Sequence, residues 1–125
     1  MAHVLDGDGP IFQQLAGKIA DDIVAGHYPE ESAVPSATDF AVFYQINPAT
    51  ASKGVNVLVD LGVLHKRRGI GMFVTTGARA LLQERRRQSF RQQYLDPLLA
   101  EARALGIGLP ELHQMIDDDE MRNSA

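Results

Sequence analysis

Apolar positions recur at helical spacing from the first turn of the chain. Ile11, Leu15, Ile19 and Ile23 fall four apart, with Phe12, Ala16 and Val24 beside them. They draw one apolar stripe along a helix of about four turns. Residues 1–9 read as an irregular lead-in. Pro10 suits the first helical position, where a missing N–H costs nothing. Gly17 weakens the helix slightly, and Gly26 is placed to stop it as a left-handed cap. The polar stretch from His27 to Ala37 carries two prolines and reads as a loop, in which Ala33-Val34 can pair briefly as a strand. Ser36 is a good N-cap and Asp39 makes a weakened capping box. A short helix over 37–44 then presents Phe40, Ala41 and Phe43. Gln45-Ile46 is a tight connection. Asn47 caps a third helix, with Pro48 as its first residue. That helix runs to about Leu61, turns Ala51, Val55, Leu58 and Val59 inward, and ends at Gly62.

The period then changes. Val63–Arg67 and Met72–Thr76 read as two strands joined through Arg68-Gly69-Ile70-Gly71. From Ala78 the pattern is helical again, with Leu81, Leu82, Phe90, Tyr94, Leu98, Ala102 and Leu105 marking an apolar stripe. Pro97 predicts a kink or break near Asp96. Gly106-Ile107-Gly108 makes a turn, and Pro110 opens a last short helix with Leu112, Met115 and Ile116. The final DDDEMRNSA reads as a solvated, frayed tail. No internal repeat is present.

At 125 residues and 45% hydrophobic content, the chain is one domain or one small domain with an appendage. The elements divide it into 1–76 and 77–125. The net charge of −4 conceals segregation. Residues 1–60 carry 2 basic and 8 acidic side chains, 61–95 carry 8 and 1, and 96–125 carry 2 and 7. A local patch, not the total, governs attraction to a polyanion. There is no Cys, which excludes disulfides and thiolate chemistry. No apolar run approaches the roughly 20 residues of a membrane span. Residues 1–25 lack the pattern of a secretory leader, so a cytoplasmic location is expected, with no membrane partner.

Two short helices joined by a tight turn fit a helix-turn-helix, and the following hairpin fits a wing. The fold expected is therefore mainly α, a winged helix-turn-helix with a short C-terminal helical appendage. A duplex's major groove admits one helix, read by that helix's N-terminal part. Here that part holds Asn47, Ala49, Thr50, Ser52 and Lys53. The wing segment Lys66-Arg67-Arg68-Gly69-Ile70-Gly71 puts three cations beside a slim turn, and narrow minor grooves favour inserted arginine.

PIFQQLAGKIADDIVAGHYP and AVPSATDFAVFYQINPATASKGVNVLVDLGVLHKRRGIGMFV together resemble the N-terminal domain of the GntR family of bacterial transcription regulators. The likeness covers about Pro10 to Val74. The C-terminal part, with DPLLAEARALGI, resembles the YtrA-type subfamily, whose members carry a small helical appendage instead of a full effector domain. The resemblance implies a sequence-specific regulator, a repressor that binds a palindromic operator as a homodimer. It implies DNA contacts from Ser36, Thr38, Thr50, Ser52, Lys53 and the wing glycines Gly69 and Gly71. Ala37 and Thr38 stand where the family has an acidic residue and a DNA-contacting arginine, so a Thr38 contact would lack charge. Pro48 occupies a second common arginine site. Dimerisation would fall to the C-terminal helices, through Leu81, Leu82, Phe90, Tyr94, Leu98 and Leu105, because a lone helical hairpin has no core of its own.

Other chemistry finds little support. His3, His27, His65 and His113 lack metal-site spacing. Asp6-Gly7-Asp8-Gly9 opens like a calcium loop, but its twelfth position is Gly17. Ser36, Ser52 and Ser89 have no His/Asp partners that would make a hydrolase. No cofactor is expected, and no residue signals a small-molecule effector. Arg85-Arg86-Arg87 reads first as a solvated helix face and second as an extension of the basic surface. The competing function is a winged helix used for protein contact, favoured by acidic residues 1–60 and the absent arginine at 38. Steep salt dependence of a DNA complex separates the two.

Overall fold

The computed structural model describes Leu5 and residues 7–124. Met1 to Val4, Asp6 and Ala125 lie outside the described residues, and with them most of the lead-in, His3 and the first position of the rejected calcium loop. The elements are α1 (Ile11–Val24), β1 (Ala33–Val34), α2 (Ala37–Tyr44), α3 (Pro48–Asp60), β2 (Leu64–Arg67), β3 (Gly71–Val74), α4 (Ala78–Phe90), a π-helical turn (Arg91–Leu95), α5 (Asp96–Ala104) and α6 (Leu109–Asn123). The fold is mainly helical, with a small antiparallel sheet in the order β1-β3-β2, and is a winged helix-turn-helix followed by C-terminal helices.

Local chemistry accounts for most boundaries. Pro10 is extended and sits just outside α1 as its N-cap, one position before the site expected for it. The capping box at α2 is complete: Asp39 N–H donates to the Ser36 hydroxyl, and Ser36 N–H donates to the Asp39 carboxylate, both at 3.1 Å. Gln45 takes a left-handed φ of 56° after α2, and Ile46 N–H reaches back to the Ala41 carbonyl at 3.0 Å. That closure makes the helix-turn-helix connection only three residues long, from Gln45 to Asn47. The Asn47 side-chain oxygen accepts from Ala49 N–H at 2.8 Å and starts α3.

The chain divides into two compact units, one ending at Arg85 and one beginning at Arg86. In the first, Leu15, Ile19 and Ile23 of α1 meet Ala51, Val55 and Leu58 of α3, closed by Phe40, Val34, Val63, Leu64 and Val74. Burying each large aliphatic side chain contributes about 1.5–3 kcal/mol. Val59 stays half-buried at the edge; the inward place is taken by Gly54. A Cβ on Gly54 would lie 2.8 Å from the Phe12 carbonyl oxygen, so the absence of a side chain lets α1 and α3 approach. Ala78 and Leu82 also enter this core, which ties the first turns of α4 to the winged unit. Glu30 caps the same helix: its carboxylate accepts from Gly77 N–H at 2.9 Å and Arg79 N–H at 3.3 Å.

The second unit departs from expectation in two ways. There is no break at Pro97. The chain passes through the π turn, and Asp96 N–H donates to the Arg91 carbonyl instead of one residue nearer. Proline lacks an N–H and crowds the carbonyl four residues back, and a wider turn relieves both constraints. Nor is the acidic tail irregular: α6 continues to Asn123. Gln114 donates to Asp118 at 2.8 Å and Arg122 pairs with Asp119, which offsets part of the repulsion among adjacent carboxylates. No helix among the described residues is long and apolar enough to cross a membrane.

Candidate nucleic-acid interface

Three short regions carry the side chains that sequence reasoning singled out. At the start of α2, Ser36 and Thr38 are exposed. The Ser36 oxygen already accepts a capping bond, leaving its O–H free to donate to a phosphate oxygen. At the start of α3, exposed Asn47 spends its side-chain oxygen on the cap, and its NH2 group is a donor. Thr50 is half-buried, while Ser52 and Lys53 are exposed. The Lys53 ammonium lies 4.1 Å from the centre of the Phe12 ring. A cation over a ring face gains about 0.5–1 kcal/mol at an exposed site, so α1 steadies this lysine.

The wing is a hairpin in which His65 faces Phe73, Lys66 faces Met72 and Arg67 faces Gly71. Its turn is shorter than the sequence indicates: Gly71 belongs to β3, and Arg68, Gly69 and Ile70 alone make the reversal. Gly69 at φ 74° and Gly71 at φ 147° hold conformations that a side chain strains. Lys66, Arg67 and Arg68 are all exposed. Arg67 is the most constrained. Its guanidinium carbon lies 4.1 Å from the Phe73 ring centre, and its Nε–H donates to His65 Nε2 at 3.3 Å. His65 Nδ1 in turn meets the Thr75 hydroxyl at 3.1 Å. Arg67 is thus tied through the His65 ring to Thr75.

Sequence reasoning missed the supports beneath these cations: Phe12 under Lys53, and His65, Phe73 and Thr75 around Arg67. The signal for the second group is present. Period-two alternation puts His65, Arg67 and Phe73 on one hairpin face. Phe12 has no such signal, because its approach to Lys53 depends on how α1 packs on α3.

Of the side chains expected to join two copies, Leu82 is corrected. It is 5% exposed inside the winged unit's core, so its own chain already covers it. Leu81, Phe90, Tyr94, Leu98 and Leu105 are exposed, joined by Leu109, Met115, Ile116 and Met121. Arg85, Arg86 and Arg87 lie on α4 and are exposed.

No protein-family model matches the chain. Among curated proteins it is 27% identical over 109 residues to the HTH-type transcriptional repressor YtrA of Bacillus subtilis, covering 87% of this chain and 83% of that one. Among solved structures, a GntR-family transcriptional regulator of Bacteroides thetaiotaomicron is 32% identical, with a TM-score of 0.78, covering 91% of this chain and 99% of that one. BusR of S. agalactiae, solved in complex with its busAB-promotor DNA, shares the fold at a TM-score of 0.57 and 24% identity, over 94% of this chain and 58% of that one.

Proposed function

We propose, from the premise that this chain belongs to the GntR family of DNA-binding transcriptional regulators, that it is a repressor that binds a palindromic operator as a homodimer. The observation that carries the reading is the concentration of cations on the wing and the helix after it. Residues 61–95 hold 8 of the 12 basic side chains of a net-acidic protein. A polyanion is attracted to that stretch despite the overall charge of −4.

In this reading the start of α3 enters the major groove, where Asn47, Thr50 and Ser52 meet base edges. Ser36, Thr38 and Lys53 hold phosphates. Lys66, Arg67 and Arg68 take the adjacent minor groove, with Gly69 and Gly71 keeping the turn narrow. Arg67 is held against Phe73 and His65 before DNA arrives, which lowers the ordering cost of its contact. The exposed apolar side chains Leu81, Phe90, Tyr94, Leu98 and Leu105 support pairing of two copies through the C-terminal helices. Half-sites would then lie about one helical turn apart, roughly 10 base pairs. The likeness to the repressor YtrA supports repression, which such a dimer would exert by occupying promoter DNA. Any small-molecule effector would act by changing that occupancy.

The test is a salt series of operator binding for wild type and for the Arg67→Ala/Arg68→Ala double variant. Each lost phosphate contact lowers the slope of log K against log salt by about 0.9. The double variant is expected to lose up to about two contacts' worth and to bind all sequences more weakly. An unchanged isotherm removes the wing from the interface. Absence of salt-sensitive binding by wild type favours the protein-contact reading.

A further inference from the structure

The winged unit contains a cavity of about 400 Å³ outside the surface just described, between α1, α2 and the loop that joins them. Its size falls within the usual range for small-molecule sites, about 300–1,000 Å³. Neither the helix start of α3 nor the wing contributes to its lining. Tyr28, Phe43 and Tyr44 line it, over the buried ring of Phe40. Phe43 and Tyr44 stand edge to face, centres 4.9 Å apart and planes at 89°, so they make a corner and not a flat wall.

The charged groups of the wall are Lys18, Asp22 and Asp39. Lys18 and Asp22 form a pair at 3.1 Å, and the same Asp22 oxygen meets His27 Nδ1 at 3.2 Å from the loop side. Asp39 has no cationic partner among the described residues of the wall; its carboxylate accepts the Ser36 N–H of the capping box. The cavity thus presents one carboxylate not matched by an ammonium, next to several ring faces. Ring faces are the negative side of an aromatic quadrupole. Both features repel an anion and attract a cation. Burial pushes the Tyr28 hydroxyl's pKa up, and the Asp22 carboxylate adds to the rise. Burial also raises that of Tyr44, where Lys18 works against the shift and Asp22 with it. Both phenols therefore stay neutral at ordinary pH and leave Asp39 as the source of the cavity's unmatched charge.

We propose that this cavity binds a small organic ammonium ion, with its cationic head against the aromatic corner and Asp39. Aromatic walls with a nearby carboxylate are suited to such a cation because its weak hydration is replaced by ring faces at little cost. Occupancy also has a route to the DNA surface. Asp39 is the third residue of α2 and holds the cap on which Ser36 and Thr38 stand. A cation competing for the Asp39 carboxylate loosens that cap and weakens the operator complex; this consequence rests on the DNA-binding reading above.

Benzyltrimethylammonium is the probe, titrated by calorimetry into the 125-residue chain without DNA. Phenylacetate and benzyl alcohol serve as anionic and neutral counterparts of similar shape. Saturable binding of the ammonium is expected, with both counterparts weaker by threefold or more, about the lower half of the cation–π range. Asp39→Asn keeps an oxygen for the Ser36 N–H while removing the charge, and Phe43→Ala opens the exposed side of the corner. Each is expected to weaken the ammonium by a similar factor, with circular dichroism confirming the fold. No saturable binding, equal binding of phenylacetate or benzyl alcohol, or indifference to both substitutions overturns the site. Operator binding is then measured with and without the probe. A bound probe that leaves operator affinity unchanged overturns the coupling alone. Wild-type protein that ignores DNA altogether overturns the DNA-binding reading, while the calorimetry still decides the cavity.

Discussion

Gly17 and Gly54 lie on neighbouring helices and are expected to respond to the same substitution with opposite signs. A Cβ on Gly17 meets nothing within 4 Å, and the residue is exposed. Gly17→Ala should therefore stabilise by about 0.5–1 kcal/mol through helix propensity and a less disordered unfolded state. Gly54→Ala pushes a methyl to 2.8 Å from the Phe12 backbone oxygen and 3.1 Å from Leu15, so α1 and α3 must separate. Overpacking of this kind costs about 1–3 kcal/mol. Urea unfolding of the two variants checks both signs; destabilisation by Gly17→Ala would mean that its helix face is covered by something further. Thr50 is expected to act at the same scale on recognition. Its half-buried methyl and hydroxyl are short, so a base contact requires a deep dock. Thr50→Ala should relax preference at one or two base pairs per half-site, by about 1–3 kcal/mol, in a selected-site profile. An equal loss on operator and random DNA would make Thr50 a positioning residue only. The places of Thr50 at a helix start and of the wing cations at a hairpin turn are legible in the sequence, because those features are local. The sequence concealed Gly54, since a helix interior glycine reads as a weakness until its neighbour across the core is known.

Elements differ in the same respect. The caps at α2 and α3 were legible because donor and acceptor lie within three residues of each other. The cap on α4 was not: Glu30 reaches across 47 residues to Gly77. In the sequence it is one acid among several in a polar loop. Glu30→Ala is expected to destabilise by about 0.5–2 kcal/mol, the range for a lost N-cap. It should also raise amide exchange at Gly77 and Arg79 before other sites in the winged unit. Unchanged exchange there would show that water replaces the carboxylate without loss. Pro97 signals an irregularity near Asp96, and the structure places a π turn just before it, at Arg91–Leu95, with no break in the helix. A single sequence shows that an N–H is missing; whether the helix breaks, bends or widens is decided by the partners of the other carbonyls.

At the scale of the whole molecule, the division falls inside α4, after Arg85, because Ala78 and Leu82 belong to the winged unit's core. The hydrophobic pattern alone put the boundary at 76/77, where the hairpin ends. Periodicity identifies which residues of a helix are apolar but not which neighbour covers each. A chain ending at Thr76 would lose both anchors and the capped start of α4. A chain ending at Arg85 keeps them. The 1–85 fragment is expected to fold, to sediment as a monomer and to bind an operator much more weakly than the full chain. A dimeric 1–85 fragment would move the pairing surface out of the C-terminal helices.

The π turn at Arg91–Leu95 amounts to a spare residue stored in a helix. Removing Gln92 would let an ordinary α turn close there, and because the wide turn and the ordinary one carry the chain through nearly the same angle, everything downstream would keep its facing. Leu98 and Leu105 would stay on their side of the helix, whereas the same deletion within the regular turns of α4 or α5 would carry everything after it about 100° around the axis. The wide turn thus works like slack in a cord: a codon can be lost there without changing which face the later helices present.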